Sequence, residues 1–100
     1  MSRAIAVVAA AAAKRLQMLG PGARQAVEEL RRELEENPKL GIRRGPMQGN
    51  GSLLVYRTRL EPREGTPGLT VVYVYTPQPH PAAVAIITIT PDDTANEAWT

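Results

Sequence analysis

Arginine is the residue type through which this sequence could do chemistry. Of its twelve basic side chains ten are Arg. Six basic residues (Lys39, Arg43, Arg44, Arg57, Arg59 and Arg63) fall within 39–63 against Glu61 alone, a local excess of five positive charges. A guanidinium is a planar fork of N–H donors matched to phosphate and carboxylate oxygens, so the cluster suits an anionic ligand or an acidic partner. Arg57 and Arg59 stand two apart in an alternating run, and on a strand both point to one face. Their role would be to stabilise charge, because a guanidinium stays protonated and is no general base. Arg43 and Arg44, in the preceding segment, are auxiliaries that could add charge to the same ligand. The competing reading is a solvated sheet face occupied by salt bridges.

Other reactive types are sparse. The chain has no Cys and a lone His80, which excludes disulfides, thiolate chemistry and a Cys/His zinc site. Asp92 and Asp93 lie too close in sequence to suggest a metal cage, so neither metal nor cofactor is expected. No phosphate-binding glycine loop, nucleophile motif or dinucleotide fingerprint occurs. His80, between Pro79 and Pro81, reads as an exposed loop residue. Trp99 joins Arg43 and Arg44 as a candidate ligand contact, or else is a lid over a sheet edge. Tyr73 and Tyr75 share one strand face and read as core rather than as a base-stacking platform.

The elements that must position these residues fit one domain of 100 residues. Residues 4–8 read as an opening strand and 9–19 as a helix, with one helix over 4–19 as the alternative. Gly20-Pro21-Gly22 stops that helix. In the next, Ala23, Ala26, Val27, Leu30 and Leu34 make a single apolar stripe that ends at Asn37-Pro38. Its opposite charges spaced four apart read as a solvated face. Residues 40–52 hold four glycines, a proline and an Asn50-Gly51 turn signal, and read as an extended crossing with a turn. Three strands follow over 53–60, 69–76 and 83–90, joined by Pro- and Gly-rich loops.

The expected class is α+β: an N-terminal helical hairpin on a small, mostly antiparallel sheet in the order β-α-α-β-β-β. The expected core is Val27, Leu30, Leu34, Leu54, Tyr56, Val72, Val74, Ile87 and Ile89, aliphatic because the chain has no Phe. Arg3 followed by the apolar run 4–13 mimics a secretory signal peptide. The run is mostly alanine, far shorter than the about 20 residues that span a bilayer. Cleavage there would also remove the first strand and half the first helix. A cytoplasmic location without a membrane partner is the expectation, and the lack of Cys suits a reducing compartment.

The order strand, helix, helix, then antiparallel strands, with basic residues on the first of these, resembles the RelE/ParE superfamily of bacterial toxins over residues 4–99. The stretch MQGNGSLLVYRTRL (47–60) resembles the family's glycine turn followed by a strand reading tyrosine, basic, any residue, basic. GLTVVYVY (68–75) resembles its next strand, and Glu97-Ala98-Trp99 sits where members often end in an aromatic residue.

The resemblance implies the toxin half of a type II toxin–antitoxin pair. The expected partners are a cognate antitoxin, whose segment crosses the sheet and helical hairpin, and either messenger RNA on the ribosome or DNA gyrase as target. In the nuclease branch it implies metal-independent cleavage, in which basic side chains hold the phosphates and stabilise the pentavalent transition state. Arg57 and Arg59 match the two basic strand positions. Thr70 stands where the family has an arginine, residues 91–94 are acidic where it has a basic loop, and Trp99 lacks an ionisable hydroxyl. The gyrase-directed branch needs no such cluster, and a degenerate relative would act only as a binding module.

Overall fold

The computed structural model describes residues 4–47, 50–78 and 81–92. His80, Asp93 and Trp99 lie outside the described residues. The elements are β1 (Ile5–Val8), α1 (Ala10–Met18), α2 (Pro21–Glu36), β2 (Ile42–Met47), β3 (Asn50–Leu60), β4 (Leu69–Thr76) and β5 (Ala83–Pro91). The strands form one sheet in the order β1-β5-β4-β3-β2. All neighbours in it are antiparallel except β1, which lies parallel to β5. The class is therefore α+β, with two helices and a mostly antiparallel sheet.

Residues 4–19 form a strand and then a helix, not one helix. Gly20 separates the two helices at φ 91, a left-handed conformation that glycine adopts without steric cost. Pro21 then opens α2, at a position where its missing N–H would have had no helical partner.

The extended crossing expected over 40–52 is instead β2 and the start of β3, which gives the sheet a fifth strand. Two irregularities hide β2 from a period-two reading. The register steps from Arg43↔Tyr56 to Gly45↔Val55, leaving Arg44 as an extra residue, and shifts again between Pro46 and Met47. Asn50 and Gly51 belong to β3 rather than to a turn, and Met47 pairs with Asn50. Residues 48 and 49 between them lie outside the described residues.

The stripe of α2 is buried as expected, from Ala23 to Leu34. It joins Ala4, Ala6, Ala12 and Leu16 with Tyr56, Leu69, Val71, Tyr73, Val84, Ile86 and Ile89 in one core. Leu54 packs against this core while partly buried, and Val74 is buried outside it. Val72 and Ile87 are only half-buried, contrary to expectation. The β4–β5 ladder slips so that Tyr73 pairs with Ile86 and Val72 with Thr88, leaving Ile87 as a bulge. Alternation then resumes one residue out of phase, and Ile89 turns inward.

The helices pack mainly on β1 and β5. The outer edge of β1 is closed by α2: the Ala4 N–H donates to the Glu35 carbonyl at 3.0 Å, and Arg31 Nη1 donates to the Ala6 carbonyl at 3.0 Å. Arg31 is held in turn by Glu28 at 2.8 Å and Glu35 at 2.9 Å. Hydrogen bonds from Arg31, and then from Arg32, hold the Glu28 carboxylate down to about 2. Part of the charged face of α2 is thus edge protection, not simply solvated surface.

Leu34 is fully buried. Leu34→Ala should destabilise the fold by about 2–5 kcal/mol through lost burial and the cavity left behind. Urea unfolding should show a lower midpoint at unchanged slope, and a shift under 1 kcal/mol would contradict this placement of α2.

Candidate anion-binding face

On β3, residues alternate between the helix-covered side and the open side of the sheet. Tyr56 turns into the core, whereas Arg57 and Arg59 are exposed on the opposite face, side by side as expected. Arg57 lies opposite Val72 on β4 and Ile42 on β2, and Arg59 lies opposite Thr70.

Two tyrosines fix this register from beneath. The Tyr56 and Tyr73 rings stack with centroids 5.4 Å apart and an interplanar angle of 5°. The Gly41 N–H donates to the Tyr73 hydroxyl at 2.9 Å, tying the start of β2 to β4. A Cβ at Gly41 would fall 2.6 Å from the Arg57 carbonyl oxygen, so only glycine permits this approach. Burial raises the Tyr73 hydroxyl above its usual range, only partly offset by the Gly41 hydrogen bond. That group is a neutral structural acceptor rather than a general base.

The arginines differ in what surrounds them. Arg59 grips Asp92 with both prongs of its fork, Nη1 to Oδ1 at 2.7 Å and Nη2 to Oδ2 at 2.6 Å, and Glu61 approaches its Nε at 3.5 Å. The Arg59 guanidinium holds the Asp92 carboxyl below the usual carboxylate range. Arg63 pairs with Glu29 of α2 at 2.7 Å and so leaves the cationic cluster to anchor the 61–68 loop. Among the described residues Arg57 carries no ion pair and is exposed.

Arg43 pairs in register with Tyr56, on the opposite face from Arg57, so the two cannot grip one phosphate together. Arg44 is the extra residue of the β2 bulge. Trp99, the remaining candidate contact, lies outside the described residues. The partner that residue reading missed is Asp92. It sits two strands away from Arg59, and only the register across β4 brings the two together.

The described residues line cavities of about 460 and 290 Å³. The larger lies between α1 and the second half of β5, away from Arg57 and Arg59. Among the described residues no group of three or more His, Cys, Asp or Glu side chains gathers to hold a metal. Nor is any described helix long and apolar enough to cross a membrane. Compared with known protein families, curated proteins and solved structures, the chain matches none.

The Arg59–Asp92 pair has a pH signature. A carboxyl depressed in the folded state stabilises the fold above its unfolded value, about 3.9, and that contribution disappears as pH falls through the lower folded value. Wild type should therefore unfold at higher urea than Asp92→Asn at pH 7, with the gap narrowing below about pH 4. A gap that stays constant from pH 7 to pH 2 would show that the pair contributes nothing.

Proposed function

We propose that the chain is the toxin component of a bacterial type II toxin–antitoxin system, RelE-like in pattern, with an atypical anion-binding face. The observation that carries this reading is the placement of Arg57 and Arg59 side by side on the helix-free face of β3. The element order of one strand and two helices before a run of antiparallel strands supports it as well. In this role Arg57 contacts a phosphate of messenger RNA and stabilises the charge that builds up during cleavage. The antitoxin supplies acidic groups to the same face.

A second reading, inhibition of gyrase, is favoured by a specific feature. Arg59 is engaged with Asp92, and a threonine occupies the position across from it, so the face holds few uncommitted cations for phosphate transfer. A binding toxin does not need them. A degenerate relative without toxicity is the third possibility, and growth separates it from both.

Induction of the chain in bacteria without its neighbouring open reading frame should arrest growth, and co-expression of that frame should restore it. Primer extension should then show new cuts in messenger RNA. Arg57→Ala should reduce them about 10²-fold or more, the scale for losing one charge-stabilising donor. Thr70→Arg should increase them by returning a cation beside Arg59. Arrest with intact transcripts and altered supercoiling would move the assignment to gyrase. Normal growth with abundant folded protein would reject a toxin altogether.

A further inference from the structure

We infer that Asp92 is a built-in competitor for the anion site: its carboxylate fills the Arg59 fork, so an external phosphate or carboxylate engages Arg59 only by displacing it. This deepens the reading of the Arg57–Arg59 face as an anion site, and rests on that reading.

The geometry is that of a ligand in a prepared seat. Both Asp92 oxygens meet the two terminal nitrogens of Arg59, at 2.7 and 2.6 Å, the bidentate fit by which arginine binds phosphates and carboxylates. The Asp92 N–H donates to the Gly68 carbonyl at 2.9 Å, which holds the carboxylate beside the start of β4. Room for the pair exists because residue 68 is glycine. A Cβ there would fall 2.6 Å from Asp92 Oδ2 and 2.7 Å from Arg59 Nη2.

Exchange needs no unfolding. The Arg59 and Asp92 side chains retain 46% and 28% of their exposure, and Asp92 follows directly on the last residue of β5. With Asp92 seated, Arg57 is the arginine of this strand face without an ion pair among the described residues. With Asp92 displaced, two guanidiniums two residues apart on one strand face the same ligand. Glu61, 3.5 Å from Arg59 Nε, is the neighbouring carboxylate, but it makes one contact where Asp92 makes two.

The test is binding of a fluorescein-labelled single-stranded RNA decamer, followed by anisotropy over a series of salt concentrations. Asp92→Asn should bind about three- to tenfold tighter than wild type, with a salt slope steeper by about 0.7, the increment for one added phosphate contact. Gly68→Ala should shift the same way without changing net charge, because its methyl wedges the pair apart. Glu61→Gln, which removes the same charge from the same neighbourhood, should change affinity much less. Arg59→Ala combined with Asp92→Asn should lose the gain. Thermal melting of each variant confirms that it is folded.

If wild type binds through Arg57 but Asp92→Asn and Gly68→Ala do not exceed Glu61→Gln, the competitor is overturned while the anion site stands. If Arg57→Ala binds as well as wild type, or no variant binds, the anion site fails and the competitor fails with it.

Discussion

The structure depends on how one large side chain is buried. In a chain without phenylalanine, Tyr73 is the largest fully buried side chain among the described residues, and it stands at the middle of the sheet on β4. The helices pack mainly on β1 and β5, so the β2–β3 half of the sheet is held by other means. Tyr73 supplies them: it stacks on Tyr56 of β3, and its hydroxyl takes the Gly41 N–H at the start of β2. Tyr75 adds an edge contact to Tyr56, with centroids 6.4 Å apart. Such ring contacts contribute about 0.5–1.5 kcal/mol each beyond their area burial. A buried hydroxyl without a partner would cost about 1–3 kcal/mol, which makes the Gly41 bond a requirement of placing a tyrosine there. Arg57 follows Tyr56 directly, so locking the tyrosine inward turns the arginine outward.

The second constraint is electrostatic. Counted along the chain, the 39–63 segment has a large cationic excess, yet folding brings acids to it from distant positions. Glu29 arrives on α2 and Asp92 at the end of β5, and they engage Arg63 and Arg59. These pairs are partly exposed, and such pairs contribute little to stability. In the proposed function their larger consequence is for recognition, because they decide which guanidinium meets a ligand first. Among the described residues β3 thus presents one uncommitted arginine, Arg57, beside one already engaged, rather than a uniform basic patch.

How much was legible in the sequence followed from how far each signal reached along the chain. The α2 stripe and the alternating run of β4 are local patterns, and both elements lie where period alone places them. The β2 strand was not legible, because the Arg44 bulge and the Gly45-Pro46 pair erase alternation over six residues. Ile87 was misplaced for the same reason, since one inserted residue reverses every later side chain until the strand ends. That Arg57 and Arg59 share a face was legible from their spacing. That Arg59 is already occupied was not: its partner is set by the β3–β4 and β4–β5 registers together, and neither is encoded in any local run. The opposite facing of Arg43 likewise depends on its pairing with Tyr56.

In the proposed function, the helix-free face of β3 and β4 is where this protein meets an anionic ligand. Amide NMR of labelled wild-type protein, titrated with the single-stranded RNA decamer, maps that contact directly. The shifted signals should cluster at Arg57, Thr70 and Val72, which share one face of the sheet in register. Shifts concentrated instead on α1 and α2, with β3 and β4 unmoved, would contradict it.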